Sequence, residues 1–289
     1  MTVPAVPLAG VLGWPVAHSL SPLLHGHWLA HLGIKGFYVP LGCPPEAFDD
    51  AVPALLKTGF VGFNVTVPHK EAAAQLCDVI TPRAEQMGSV NTIWREDGRL
   101  MGDSTDGLGF LSALPPLPSG ANVLVVGAGG SAKAIVHALA GLDTVAHITI
   151  ANRTLEKAEQ LAQTMRPLFP QTAFDAVSIE ACQHALESAA LIVNTTTLGM
   201  IGQPPLSLDL SHAASQPVVY DIVYTPAKTP LLKAAEAAGL TAINGLHMLI
   251  GQARPGFAKW FGMAAPHTGE EAALLMAALS QSADGSVAS

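Results

Sequence analysis

The chain is poor in charge. Of 289 residues only 12% are Asp, Glu, Lys or Arg, and 14 basic against 22 acidic residues leave a formal net charge of −8. A surface so short of cations offers no basic stripe for the phosphates of a nucleic acid. Cysteine is also scarce. Cys43, Cys77 and Cys182 are odd in number, widely spaced and without a C-x-x-C pair, which points to buried or free thiols in a reducing cytoplasm. No stretch of roughly 18 apolar residues lacks polar interruption, so no membrane span is predicted. Residues 1–10 have neither a basic n-region nor a long apolar h-region, so no signal peptide is predicted either. Internal repeats and low-complexity tracts are lacking. What is plentiful is apolar residues, 49% of the chain. That is enough for a large core, in a length suited to about two domains of roughly 150 residues.

Near the middle, Val123-Leu124-Val125-Val126 runs into Gly127-Ala128-Gly129-Gly130-Ser131-Ala132, followed by a helix-compatible run over 133–139. The apolar run reads as a buried parallel strand. In the Gly-x-Gly-x-x-Ala turn, Gly127 permits the tight bend and Gly129 lets backbone N–H groups approach a pyrophosphate. Ala132 allows close helix–strand packing. The helix N-terminus adds partial positive charge and free donors. A glycine turn alone fits any doubly wound domain; strand, turn and helix in this order point to dinucleotide binding.

The first hundred residues alternate strands and helices without a glycine fingerprint of their own. Strands are predicted over 6–12, 37–41 and 60–65. The first helix has Ser21 as N-cap and Pro22 at its first position, reaches about His31 and is ended by Gly33. Further helices cover 45–57 and run from Lys70 to about Cys77. Residues 90–94 and 99–102 flank Asp97-Gly98, a hairpin signal. A proline-rich joint at 115–120 precedes the central strand. Beyond the glycine turn, strands are predicted over 147–151, 191–194, 218–223 and 241–243. Helices are predicted over 155–165, 229–238, 248–260 and 270–279. The tail 281–289, small and polar, is expected to fray. The fold class is α/β.

A dinucleotide site selective for NAD places a carboxylate about 20 residues past the glycines, on the ribose 2′-hydroxyl. Here the second strand ends at Asn152-Arg153-Thr154, with Lys157 one turn on. An arginine, a hydroxyl and a lysine suit a 2′-phosphate, so the pattern favours NADP. Arg153 is otherwise read as an exposed helix-start residue.

A reductase also needs a proton donor for the carbonyl oxygen. Lys70, opening a helix after a proline-containing turn, is the best candidate, and Asp106 at the joint between the domains could orient it. A carboxylate beside a lysine favours the ammonium form, which suits proton donation. A surface ion pair for Lys70 and a turn-forming role for Asp106 remain the plain alternatives. Ser19, Ser21, Asn64, Thr66 and Asn91 lie at strand ends or helix starts, where small hydroxylated or carboxylate ligands are gripped. Each also suits a cap or turn. His25, His27 and His31 share one helix and offer a metal alternative. Without an H-E-x-x-H pattern or a third ligand they read as ordinary polar positions, and no metal is expected.

Taken together, six separated motifs resemble one family, shikimate dehydrogenase, over roughly residues 10–262. They are Gly13-x-Pro15-Val16-Ala17-His18-Ser19-Leu20-Ser21-Pro22, Asn64-Val65-Thr66-Val67-Pro68-His69-Lys70, Ser89-Val90-Asn91-Thr92, Thr105-Asp106-Gly107, the glycine turn with Asn152-Arg153-Thr154, and the pair 221–232 and 244–252. The resemblance implies that Ser19 and Ser21 hold a substrate carboxylate. Asn64, Thr66, Asn91, Tyr224 and Gln252 would contact substrate, with Lys70 as acid/base and Asp106 as its partner. It implies NADP on Gly127, Ala128, Gly129, Gly130, Ser131, Asn152, Arg153, Thr154 and Lys157, with Ile222, Gly245 and Met248 at the nicotinamide end. It further implies a discontinuous substrate domain (1–106 and 244–289), a Rossmann-type NADP domain (107–243) and a cleft between them. The implied reaction is reversible reduction of 3-dehydroshikimate to shikimate in aromatic biosynthesis, by a cytoplasmic monomer or homodimer. Quinate/shikimate dehydrogenase and a catalytically inactive nucleotide-sensing relative are the alternatives. The chain departs from the family pattern at Ser104 (commonly Asn), His69 (frequently Phe), Thr197 (commonly Ser) and Lys157 (often Arg). Lys157 keeps the charge but loses the planar fork, which implies somewhat relaxed NADP selectivity.

Overall fold

The computed structural model describes residues 6–213 and 216–285. The chain divides into two compact units. The first comprises residues 1–106 and 249–278, the second 107–248 and 279–289.

In the first unit the elements run β1 (Leu8–Gly13), α1 (Ser21–His31), β2 (Phe37–Gly42), α2 (Phe48–Lys57), β3 (Phe60–Val65), α3 (Lys70–Leu76), β4 (Val79–Ile80), α4 (Pro82–Met87), β5 (Thr92–Glu96) and β6 (Arg99–Asp103). They form a six-stranded sheet in the order β2-β1-β3-β5-β6-β4. The β1, β2 and β3 strands are parallel, while β5 runs antiparallel to β3 and β6. Asp97 and Gly98 turn the hairpin with φ of 51° and 78°, as a two-residue turn with both central residues left-handed requires. Because side chains alternate along a strand, β1 sends Val11 to a cluster with Tyr38 and Trp260, and Leu12 to a cluster with Phe48 and Phe63. The sheet is therefore buried on both faces. The register Asn64↔Thr92 and Thr92↔Asp103 brings the end of β3, the start of β5 and the end of β6 to one edge.

The second unit opens in α5 (Asp106–Leu111). It runs β7 (Ala121–Val126), α6 (Gly130–Ala140), β8 (Val145–Asn152), α7 (Leu155–Met165), β9 (Ala173–Ser178), α8 (Gln183–Ser188), β10 (Leu191–Asn194), β11 (Val218–Asp221), α9 (Pro230–Ala237) and β12 (Ala242–Asn244). All six strands are parallel, in the order β12-β11-β10-β7-β8-β9. This is the doubly wound order of a Rossmann-type sheet, with β7 at the topological switch. The apolar run of β7 is buried on both faces: Val123 and Val125 pack in one core, Leu124 and Val126 in the other. The helix α10 (Leu246–Phe261) carries the chain back to the first unit, and α11 (Glu271–Gly285) follows.

Several expectations are corrected. Ser21 is not the N-cap of α1; Leu20 is, with no side-chain cap, and Ser21 is already helical. The Ser19 hydroxyl accepts from the Ser21 amide instead (3.3 Å), and the buried Ser21 side chain is hydrogen-bonded with Tyr38. The tail does not fray from residue 281, because α11 runs on to Gly285; residues 286–289 lie outside those described. The strand β9 has no counterpart among the sequence expectations. It is the sheet's edge and carries a mixed Ala-Phe-Asp-Ala-Val-Ser run rather than an apolar one, as edge strands tolerate.

His25 is the sharpest correction. It is fully buried, stacked on Tyr38 with ring centroids 3.9 Å apart, and walled by Trp28, Phe257 and Trp260. Neither ring nitrogen has a hydrogen-bond partner among the described residues. Burial pushes its pKa down to about 3, so it stays neutral in the fold where the same side chain in the unfolded chain protonates as pH falls through about 6.5. The unfolded state therefore binds more protons between about pH 6.5 and pH 3, and stability falls as pH drops through that window. Replacing His25 by Phe should flatten this slope, removing up to about 1.4 kcal/mol per pH unit. Denaturant midpoints at pH 7 and pH 4.5 test it: an unchanged difference between them refutes the assignment.

Candidate active site

The catalytic candidates assemble at the sheet edge just described. Lys70 is the first residue of α3, reached from β3 through a turn with a cis peptide before Pro68. Two backbone bonds fix its position: the His69 amide donates to Thr66 O (3.0 Å) and the Val90 amide to Lys70 O (2.9 Å). The His69 ring is buried, stacked on Phe48, with Nε2 2.7 Å from the Cys43 carbonyl oxygen. Lys70 Nζ meets Asp106 Oδ2 at 2.5 Å, with side chains 21% and 11% exposed. The pair is thus sheltered yet open enough to reach a ligand. It is not a surface ion pair of the kind that contributes little.

Asn91 decides how that carboxylate points. The Thr105 backbone N–H, which can only donate, faces Asn91 Oδ1 (2.8 Å). The amide nitrogen is therefore directed at Asp106 Oδ1 (2.8 Å), with Gln252 Oε1 at 3.5 Å. Each carboxylate oxygen of Asp106 has its own donor, one from Asn91 and one from Lys70. Thr105, fully buried, ties this loop to α10 by donating to Gln252 O (2.8 Å). Asp103 anchors the same loop through Thr81 Oγ1 (2.6 Å), Arg83 Nε (2.8 Å) and the Ser104 amide (2.8 Å).

Asn64 is placed beside them with its amide engaged by the protein: Oδ1 accepts from the Tyr38 hydroxyl (2.6 Å), and Nδ2 donates to Asn91 O (3.2 Å). Thr66 follows β3 half-buried, its amide donating to Leu12 O (2.8 Å) at the end of β1. Ser19 and Ser21 lie on the segment leaving β1. Tyr38, Thr105 and the Arg83–Asp103 pair escaped sequence reasoning. Tyr38 and Thr105 were findable only as polar groups in segments whose neighbours are buried.

In the second unit, Gly127 takes φ of +116°, and a Cβ there would lie 2.3 Å from Thr195 Oγ1. A side chain on Gly129 or Gly130 would meet nothing within 4 Å. No side chain caps α6, so its first amides face open space of the kind a pyrophosphate fills. Asn152 ends β8, its amide donating to Thr154 O (2.8 Å), and Arg153, Thr154 and Lys157 are exposed around the start of α7. No acidic residue stands at that strand end. Ile222 and Gly245 abut, a Cβ on Gly245 lying 1.9 Å from Ile222 O, and Met248 packs in the same core as Ile222. Tyr224 is half-buried two residues on. These residues form an uncapped glycine turn, an exposed basic strand end and an apolar patch at strand ends of a Rossmann-type sheet. Among the described residues no cluster of three or more His, Cys, Asp or Glu side chains could hold a metal ion.

Comparison with known proteins agrees across the chain. Residues 11–93 match the model of the shikimate dehydrogenase substrate binding domain, and residues 114–201 that of shikimate/quinate 5-dehydrogenase. A shikimate dehydrogenase (NADP(+)) of Rhodospirillum rubrum is 50% identical over 263 residues, covering 89% of this chain and 92% of the relative. A shikimate 5-dehydrogenase of Thermus thermophilus, solved with NADP(H) and shikimate, superposes with a TM-score of 0.79 at 36% identity, covering 93% of this chain and 98% of that one. A quinate dehydrogenase of Corynebacterium glutamicum, solved with NAD, reaches 0.84 at 29% identity, covering 94% and 99%. The chain belongs to the shikimate dehydrogenase family.

Proposed function

We infer that this chain catalyses the reversible NADPH-dependent reduction of 3-dehydroshikimate to shikimate. The observation that carries the reading is the Lys70–Asp106 pair at 2.5 Å with Asn91 on the other carboxylate oxygen. The first unit supplies the proton and the substrate contacts other than Tyr224; the second supplies Tyr224 and the dinucleotide site. NADP, when bound, supplies or accepts the hydride. Lys70 donates its proton to the carbonyl oxygen as that oxygen gains charge, and Asp106 keeps the ammonium aimed there. Ser19 and Ser21 take the substrate carboxylate; Asn64, Thr66, Asn91, Tyr224 and Gln252 take its hydroxyls. The uncapped α6 N-terminus with Gly127, Ala128, Gly129, Gly130 and Ser131 fits a pyrophosphate, and Asn152, Arg153, Thr154 and Lys157 fit a 2′-phosphate. Ile222, Gly245 and Met248 fit the nicotinamide end. Free Cys43, Cys77 and Cys182, with no helix among the described residues long and apolar enough to cross a membrane, support a cytoplasmic site of action.

Steady-state assays crossing shikimate and quinate with NADP and NAD test the whole reading. The highest kcat/KM belongs to shikimate with NADP; a preference for quinate with NAD would transfer the chain to the quinate branch of the family. Replacing Arg153 by Ala should raise KM for NADPH by roughly 10- to 100-fold, the worth of a hydrogen bond to a charged group. NADH should change little, and equal effects on both cofactors would remove Arg153 from the 2′-phosphate site.

A further inference from the structure

One buried carboxylate in the second unit has no part in the chemistry above. Asp221 ends β11, is fully buried, and among the described residues has no cation for a partner. Burial raises its pKa above the usual carboxylate range, against three hydrogen bonds that favour the charged form. Such a group is costly to bury unless hydrogen bonds compensate it.

Its three partners come from three separate segments, and all of them donate. Asp221 Oδ1 accepts from Asn194 Nδ2 at the end of β10 (2.9 Å) and from the Val223 amide (3.0 Å). Asp221 Oδ2 accepts from Thr229 Oγ1, the N-cap of α9 (2.6 Å). Asn194 in turn holds the loop after β10, with Oδ1 accepting from the Thr196 amide (3.0 Å) and Nδ2 donating to Leu198 O (3.1 Å). Between those residues Thr195 bonds Val126 O through its hydroxyl (2.7 Å) and sits where a side chain on Gly127 would fall. A continuous path thus runs from the Ile222–Tyr224 segment through Asp221 and Asn194 to the glycine turn.

We propose that Asp221 is a positioning residue for the cofactor: it sets the Ile222–Tyr224 segment, at the nicotinamide end, at a fixed distance from the pyrophosphate turn at Gly127. This rests on the dinucleotide reading of the second unit. The Ile222 amide bond to Asn194 O (3.1 Å) and the close packing of Gly245 on Ile222 O complete the mount. A nicotinamide dinucleotide spans both ends, so loosening one end misplaces the ring even where every contact residue is intact.

The test uses the full-length enzyme, with NADPH binding measured by fluorescence titration alongside steady-state kinetics. Asp221→Ala orphans three donors and should raise both Kd and KM for NADPH by roughly tenfold and lower kcat by a similar factor, with KM for shikimate little changed. Asp221→Asn is the rescue. Its oxygen still serves Asn194 and Val223, and its amide donates to Thr229 Oγ1, so the NADPH Kd should stay within about threefold of wild type. Thr229→Val, which leaves the other two bonds, should fall between. An Asp221→Ala enzyme that melts earlier yet binds NADPH and turns over as wild type has lost only stability, which overturns the proposal. Should that variant fail to fold, an unchanged Kd in Thr229→Val overturns it equally. The titration needs no substrate, so it also separates this inference from the proposed activity: NADPH can bind, and respond to Asp221, even if dehydroshikimate is not reduced.

Discussion

Replacing Lys70 by Ala lowers turnover by about 10²–10⁴-fold, the usual worth of a positioned acid/base, while shikimate still binds. The expectation follows from what the side chain touches. Among the described residues Lys70 Nζ bonds only Asp106 Oδ2, and Asp106 keeps its second oxygen on Asn91 when the lysine is gone. The carboxylate is 11% exposed, so water can replace the lost donor and the fold has little reason to fail. The substrate contacts proposed for Ser19 and Ser21 after β1 and for Thr66 after β3 come from other segments, which stay in place. The measurement is kcat beside a direct shikimate titration. Turnover within a few-fold of wild type excludes Lys70 as the proton donor, and loss of shikimate affinity in step with kcat makes it a binding residue instead.

Replacing Gly127 by Val weakens NADPH binding by about 10²-fold and leaves shikimate binding intact. Its φ of +116° is a conformation that side-chain-bearing residues rarely adopt. The new Cβ would also fall 2.3 Å from Thr195 Oγ1 and 3.1 Å from Thr196 Cγ2. Thr195 is held by two bonds to Val126 O, from its amide (2.8 Å) and its hydroxyl (2.7 Å). It cannot give way, so the turn must move and take the α6 amides with it. A displacement of about 1 Å there costs on the order of 10²-fold. Gly129 makes the opposite control: a Cβ there meets nothing, so Gly129→Ala leaves the apo fold unstrained, and any loss of NADPH affinity reports a methyl placed where the pyrophosphate goes. NADPH titration of both variants decides the matter, and wild-type affinity in Gly127→Val would remove the turn from the cofactor site.

Much of this was legible in the sequence because local patterns suffice for it. The residues 60–65 show as a strand and are β3; the glycine turn sits between β7 and α6; Asp97-Gly98 turns a hairpin. These depend on neighbours along the chain, such as an apolar run, a glycine that bends, or a left-handed pair. Short or edge elements escaped. The strand β4 has two residues and α4 six, too few for any period to show, and β9 at the sheet edge carries no continuous apolar run. Ser21 looked like a cap because Ser-Pro is a local signal. It became a buried helical residue because the Ser19 hydroxyl takes its amide.

The sequence by itself determined the family chemistry: a glycine turn, a basic strand end in place of a carboxylate, and a lysine and an aspartate in separate motifs. Local composition carries those choices, and each is a matter of which residue types are present and in what order. Only the tertiary structure decided what they do to one another. It brings Lys70 to Asp106 and turns the Asn91 amide toward the carboxylate. It also buries His25 with no hydrogen-bond partner among the described residues and makes Asp221 the junction of three segments. Those outcomes depend on residues far apart in sequence meeting at strand ends. A hydrogen bond is made or lost over a fraction of an ångström, and no spacing along the chain specifies that.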